Sequence, residues 1–287
     1  MQRTSFRFFH RLRVRWAEVD MQKIVFNAHY LMYFDTAITD YWRALALPYE
    51  DSMASLGGEL YVRKATVEFN ASARADDLLD VGIKWVRTGT SSIVFQGGLF
   101  RGDTFLVSCE LVYVFADPAT QTSRPVPAAL RAVFGAYEAG EPMREVTVGD
   151  WATLGEGAGA LRRAVFIDEQ RIPAELEWDV HDASALHAVA RNRLGHVVAT
   201  GRLVAGAPGV ARIGRMAVHR TLRGEGHGEA VLHALESAAA TRGDHQALLH
   251  AQRSAERFYA RLGYHAEGEP FEEAGISHLA MRKELRA

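Results

Sequence analysis

Between Ala116 and Gly149 the chain carries Pro118, Pro125, Pro127, Gly135, Gly140 and Pro142, its densest concentration of residues that interrupt helices and strands. Proline removes a backbone donor and glycine loses the most conformational freedom on folding, so regular structure is expected to lapse here. The chain should therefore divide near residues 139–145 into two domains, 1–140 and 145–287. Its length of 287 residues agrees, at about 150 residues per domain.

The two blocks are patterned differently. In the first, Leu12, Val14 and Trp16 alternate with Arg11, Arg13 and Arg15, the period-two spacing of a half-buried strand with its arginines on a solvated face. From Tyr30, apolar Phe34, Ala37, Ile38, Tyr41 and Leu45 recur at intervals of three and four. That spacing predicts one amphipathic helix over residues 29–47, ended by Pro48, the only long helix of this block. Ala65, Val67 and Phe69 then alternate with Lys64, Thr66 and Glu68, and residues 79–87, 92–101 and 105–115 read as further strands separated by turn residues. One long helix and a run of antiparallel strands imply an α+β layer, the helix laid on a curved sheet.

The second block mixes its elements as α/β. Residues 161–166 and 226–242 read as helical, and 187–191, 197–204, 212–218, 247–251 and 278–283 as strands. A short helix over 255–262 is stopped by Gly263.

Composition narrows the function classes. Apolar residues make up 48% and charged residues 24%, and 33 basic against 35 acidic side chains leave a net charge of −2. Such a balance points away from nucleic-acid partners, and no stretch approaches the roughly 20 apolar residues of a membrane span. The first fifteen residues are Arg-rich and free of acids, but they alternate like a strand rather than a targeting helix, so a cytoplasmic location is expected. Cys109, the single cysteine, sits mid-strand among apolar neighbours and reads as an inert core thiol. Ten of the twelve histidines lie in the second block. Their pairs, His181 with His187 and His227 with His233, are six apart, not the four that puts ligands on one helix face, so no metal is expected.

Two segments carry chemistry. Asp20 follows the first strand and precedes the long helix. A carboxylate placed there can face a carbonyl polarised by the free N–H groups of the helix start. Residues 20–30, Asp-Met-Gln-Lys-Ile-Val-Phe-Asn-Ala-His-Tyr, continued to Asp35, resemble the signature of hotdog-fold acyl-CoA thioesterases of the 4-hydroxybenzoyl-CoA thioesterase type. Residues 62–69 and 73–81 are similar to that family's second and third strands, and the resemblance spans residues 6–137. It implies that Asp20 is the catalytic carboxylate, attacking the thioester carbon or activating a water, with Asn27, His29 and Tyr30 beside the substrate. It also implies a site shared between subunits, hence a homodimer or tetramer. One position departs from the pattern: Lys23 stands where the family has glycine in the turn. A lysine fits poorly if that turn needs positive φ. Lys23, or the arginines of the first strand, would alternatively meet a CoA phosphate.

In the second block a strand ending at Val218 runs through Arg223, Gly224, Gly226 and Gly228 into a helix. A glycine-rich turn at a helix start exposes N–H groups that bind pyrophosphate. Neither the three glycines of the dinucleotide fold nor a Gly-Lys-Ser/Thr sequence is present. The order Arg-x-x-Gly-x-Gly instead resembles motif A of the GNAT acyltransferases. Residues 247–252 and the Phe258-Tyr259 pair, with Leu262-Gly263-Tyr264 after it, resemble the same family's later strand and helix. Residues 165–173 and 175–179 resemble its ElaA-like branch, so that the likeness spans residues 145–285. It implies that Met216, Val218, Arg223, Gly224, Gly226, His227 and Gly228 hold acetyl-CoA, and that Tyr259 protonates the departing thiolate. Glu177 is a candidate base by location alone.

The expectation is therefore an α+β chain: an N-terminal hotdog domain followed by an α/β GNAT domain. By these resemblances it acts on acyl-CoA and acetyl-CoA with an amine acceptor of unknown identity. The alternative is a first domain that only binds acyl-CoA or dimerises, beneath an active GNAT domain.

Overall fold

A computed structural model describes residues 1–285 and divides into two units, Met1–Met143 and Arg144–Ala287. The first contains, in order, β1 (Phe8–Arg13), α1 (Asn27–Ala44), α2 (Tyr49–Leu56), β2 (Glu59–Phe69), β3 (Leu78–Thr88), β4 (Ser92–Arg101), β5 (Thr104–Ala116) and α3 (Ala128–Glu138). Its strands form one antiparallel sheet in the order β1-β3-β4-β5-β2.

The long helix forms because of what it covers. α1 is rich in Tyr, Thr and Trp, which are middling helix formers, but it buries Tyr30, Tyr33, Phe34, Ala37, Ile38, Tyr41 and Trp42 along one face. Each large side chain contributes about 2 kcal/mol on burial, which outweighs propensity. The helix lies close on the sheet because β4 has Gly97 beneath it: a Cβ there would stand 2.6 Å from the Phe34 ring. Tyr41, Phe95, Phe134 and Tyr137 then interlock edge to face, with ring centroids 5.3 to 5.8 Å apart.

Several sequence expectations are corrected in this unit. β1 stops at Arg13, Val14 is buried, and Trp16 is 86% exposed in a one-turn 3₁₀ helix instead of facing inward. The helix expected over 29–47 begins two residues earlier and ends at Ala44. Ala46 takes a left-handed conformation and α2 starts after Pro48. α1 is not alone as a long helix, because the eleven residues of α3 lie within the breaker-rich run. Pro127 sits just before its first turn, where a missing N–H costs nothing. Leu130, Val133, Phe134 and Tyr137 then pack inward, and the Glu138 carboxylate accepts from the Trp85 amide and the Tyr41 hydroxyl, both at 3.0 Å. β2 does not bury the alternating face expected of it. It is the sheet's edge, with Ala65 and Phe69 exposed.

The second unit contains β6 (Arg144–Gly149), α4 (Trp151–Arg162), α5 (Ala174–Glu177), β7 (Leu186–Asn192), β8 (Val197–Ala205), β9 (Val210–Val218), α6 (His227–Arg242), β10 (Gln246–Gln252), α7 (Glu256–Arg261), β11 (His265–Glu273) and β12 (Ile276–Glu284). The seven strands are ordered β11-β12-β10-β9-β8-β7-β6. Every pairing is antiparallel except β9 with β10, which α6 connects. α6 buries Val231, Leu232, Leu235 and Ala239 over β7, β8 and β9, in one core with Ala190, Leu203 and Ala211, and a Cβ at Gly201 of β8 would stand 2.8 Å from Leu235. The helix expected over 161–166 is the end of a longer one. α4 begins after Asp150, whose carboxylate caps Thr153, and continues as a π-helical turn over Arg163–Glu169. β6 and β11 were not anticipated.

Candidate functional site

In the first unit Val19 bridges Val25, and residues 20–24 close the turn between them: the Asp20 amide donates to Ile24 O at 2.9 Å and the Lys23 amide to Asp20 O at 3.0 Å. Asp20 Oδ1 accepts from the Gln22 amide at 2.8 Å. Lys23 has φ of +62°, so the position that carries the lysine is a left-handed one. α1 starts three residues after the turn. The residue preceding it, Phe26, offers no side-chain acceptor to the first free N–H groups. Asn27 is exposed, and His29 is half-buried with its ring edge-on to Phe26 at 6.0 Å. Tyr30 lies in the core, where its hydroxyl accepts the Ala73 amide at 2.9 Å and ties the loop before β3 to the helix.

A residue the sequence reading passed over underlies this turn. Glu18 is 3% exposed, and its carboxylate accepts the Tyr33 hydroxyl at 2.6 Å, the Arg15 amide at 2.8 Å and Arg15 Nε at 2.6 Å. Burial raises the Glu18 carboxyl, but these hydrogen bonds outweigh it and hold the group below its usual range. Burial and the same carboxylate push the Tyr33 hydroxyl up. The Glu18 carbonyl accepts the Phe26 amide at 2.9 Å, so one residue joins the Asp20 turn to the helix start. The Arg15 and Glu18 spacing of three was the one local signal for it.

The arginines of β1 are largely committed within the unit. Arg11 forks onto Asp80 at 2.7 and 3.1 Å, and Arg13 donates to Asp76 O at 3.0 Å.

In the second unit β9 and β10 pair only from Val210 with Gln246 to Ile213 with Leu249; beyond that register they part. There β9 carries an extra residue, since Arg202 faces Gly214 while Thr200 faces Ala217, and Arg215 takes φ of +51°. A cavity of about 470 Å³ opens at the parting, bounded by Gly214, Arg215, Met216, His250, Gln252 and Tyr259. Tyr259 is 8% exposed, and burial raises its hydroxyl to about 12, which keeps it protonated.

The glycine-rich turn leads into α6. Gly224 and Gly226 have φ of +90° and +76°, and Gly226 is the cap residue with no side chain to occupy the helix N–H groups. Gly228 lies against Val218, where a Cβ would meet the valine at 3.1 Å. His227 is 2% exposed with neither ring nitrogen partnered among the described residues, and burial, aided by Arg144, lowers it to about 4. Arg223 is clasped by Glu169 at 2.6 and 2.7 Å. Glu177 is buried and bonded to Arg162 Nε at 2.5 Å and to Arg215 Nε at 3.2 Å. Arg162, sandwiched by Trp151 and Trp178, also grips Asp182, as does Arg202, and Arg202 reaches Asp179. Burial alone would raise Asp179, but Arg202 and Arg215 hold it at about 2. Among the described residues no group of three or more His, Cys, Asp and Glu could hold a metal, and no helix is long and apolar enough to cross a membrane.

The two architectures are those of a hotdog domain and a GNAT domain, joined in one chain. Residues 14–134 match the thioesterase-like superfamily and residues 153–285 the acetyltransferase (GNAT) domain, and the chain belongs to both families. The acyl-CoA thioester hydrolase YbgC of Escherichia coli O157:H7 is 30% identical over 135 residues, which are 47% of this chain and 98% of that protein. An uncharacterized N-acetyltransferase, YjcF of Bacillus subtilis, is 35% identical over 131 residues, 43% of this chain and 88% of that one. The crystal structure of Escherichia coli ElaA is 26% identical, covers 50% of this chain and 100% of its own, and gives a TM-score of 0.45.

Proposed function

We propose that the first unit hydrolyses acyl-CoA thioesters through Asp20, and that the second transfers the acetyl group of acetyl-CoA to an amine. The observation that supports the first activity is the Asp20 turn, fastened by Glu18 ahead of a helix start whose N–H groups have no side-chain cap. Those N–H groups polarise the thioester carbonyl while the carboxylate attacks its carbon or activates a water. Asn27 and His29 contact the substrate at the same helix start, and Tyr30 shapes the site from beneath through Ala73.

The second activity draws on the parting of β9 and β10 beside the uncapped start of α6. Gly224, Gly226, His227 and Gly228 present backbone N–H groups to the pyrophosphate, Arg223 turns from Glu169 to a phosphate, and Met216 and Val218 line the path of the acetyl arm. Tyr259 returns a proton to the thiolate as the C–S bond breaks.

β2 supports assembly as a homodimer or tetramer. It is an eleven-residue edge strand with Val62 and Phe69 more than half exposed, the kind of edge that pairs with a second copy. Lys23 favours a second reading, in which the first unit binds acyl-CoA without cleaving it, because a long side chain occupies a left-handed turn position.

An acyl-CoA panel followed by thiol release, with and without an amine library, tests both activities. Amine-independent release is expected from the first unit, and Asp20→Asn should abolish it while acyl-CoA binding persists. An unchanged hydrolysis rate in that variant overturns the role of Asp20, and amine-dependent release marks the transferase.

A further inference from the structure

An amine reaches a transferase mostly as its ammonium, which has no lone pair with which to attack. The acetyl-transfer reading therefore needs a proton acceptor at the cavity, and most of the carboxylates there are already engaged. Glu177 is held by Arg162 and Arg215, and Asp179 by Arg202 and Arg215.

The first residue of β10 beyond its last pairing with β9 is His250, and it lines the cavity with Tyr259. His250 Nδ1 lies 3.1 Å from the Glu273 carboxylate on β11. Its ring stands edge-on to Phe271 at 4.8 Å, a second contact that orients the imidazole. With Nδ1–H donated to Glu273, the lone pair is on Nε2. His278 also lines the cavity, but its Nδ1 is turned to the backbone oxygen of Ile276 rather than to a carboxylate.

We propose that His250 is the proton acceptor for the incoming amine, and that Glu273 is the positioning residue that fixes its tautomer. The inference rests on the acetyl-transfer reading. The ammonium gives one proton to Nε2, from which it passes to water. The freed nitrogen bonds to the acetyl carbon, the C–S bond breaks, and Tyr259 protonates the thiolate. The second proton, lost from nitrogen as the intermediate collapses, replaces the one Tyr259 gave up. One proton is released per turnover, and the products are the acetamide and free CoA thiol.

The test uses the full chain carrying Asp20→Asn to silence thioester hydrolysis, with acetyl-CoA and three amines: spermidine, tyramine and an Nα-blocked lysine amide. His250→Ala is expected to lower kcat about 100-fold with the acetyl-CoA KM unchanged, and added imidazole to restore activity on the order of tenfold. Glu273→Gln should lower kcat with the same unchanged KM. Imidazole should rescue His250→Ala much better than the double variant, because the carboxylate also orients the added base. His265→Ala, at the far end of β11 from Glu273 and outside the cavity lining, should stay within about threefold of the parent. Calorimetric titration with acetyl-CoA, undiminished in each variant, excludes misfolding. A His250→Ala kcat within about threefold of the parent, or a loss that imidazole cannot restore, overturns the assignment while leaving the transferase reading intact. A parent that acetylates none of the amines overturns both.

Discussion

Lys23 occupies a left-handed conformation that costs a residue with a Cβ about 1–2 kcal/mol. Glycine removes that cost but gains freedom in the unfolded chain, so Lys23→Gly is expected to stabilise the first unit by about 1 kcal/mol, or about 3 °C in its thermal transition. A lower midpoint would mean that the side chain makes contacts worth more than the strain. The same variant separates two roles: faster hydrolysis marks an obstructing lysine, and weakened CoA binding marks a phosphate contact. His227 makes a prediction about pH. It is buried with no partner on either nitrogen among the described residues, and it takes up a proton only near pH 4 in the folded protein, against about 6.5 in the unfolded chain. Between those values the unfolded state binds more protons, so this group's contribution to stability is complete above about pH 6.5 and is lost as pH falls towards 4. Its slope is at most about 1.4 kcal/mol per pH unit. His227→Leu should flatten the stability curve by that amount across this window, as read from denaturant midpoints at a series of pH values. A slope equal to the parent's would contradict burial of a neutral imidazole.

The start of α6 tests whether the glycine-rich turn is the cofactor site. Asp is normally a good cap, and at position 226 its carboxylate would take the very N–H groups that the pyrophosphate needs, add a negative charge, and strain a backbone at φ of +76°. Gly226→Asp is therefore expected to weaken acetyl-CoA binding at least about 100-fold by calorimetry. Tyr259→Phe removes a proton donor and no phosphate contact, so it should lower kcat and leave that affinity nearly unchanged. Undiminished binding by Gly226→Asp would exclude this turn. Elements with a long buried face were legible in the sequence: α1, α6 and the inner strands β8, β9 and β10 carry the periodicity that burial imposes. β6 and β11 are the edges of their sheet: β6 offers only Val146 and Val148 in alternation, too short a run to mark a strand, and β11, with Gly268 and Pro270 among four glutamates, is exposed nearly throughout. α3 was hidden by the prolines ahead of it, which help set its first turn rather than prevent it. At the sites, Asp20, Tyr259 and the glycine turn stood out because each lies in one short motif. The bond from Tyr33 to Glu18 and the Arg162 network join residues fifteen or more positions apart, and no local spacing encodes them.

At the scale of the whole chain the division falls between Met143 and Arg144, where each side has its own sheet and its own buried core. A unit of this size supports an independent hydrophobic core. Separate expression of residues 1–143 and 144–287 should therefore give two soluble fragments, each with one cooperative unfolding transition. Activity should divide with them: amine-independent thioester hydrolysis in the first fragment, and acetyl-CoA binding in the second. The first fragment is expected to run as a dimer or larger by size exclusion with light scattering, because β2 leaves one side of an eleven-residue strand unpaired. Lys64 of this edge is paired with Glu110 at 3.1 Å, whereas a lysine added without an acidic neighbour opposes pairing through charge and desolvation. Val62, more than half exposed on β2, is the place to put it. Val62→Lys should shift the fragment to a monomer with its circular dichroism unchanged, and if the site is shared across that edge, hydrolysis should fall with the dimer. A fragment that is monomeric to begin with would remove the edge-pairing proposal. A dimer untouched by Val62→Lys would move the interface to another face of the same unit.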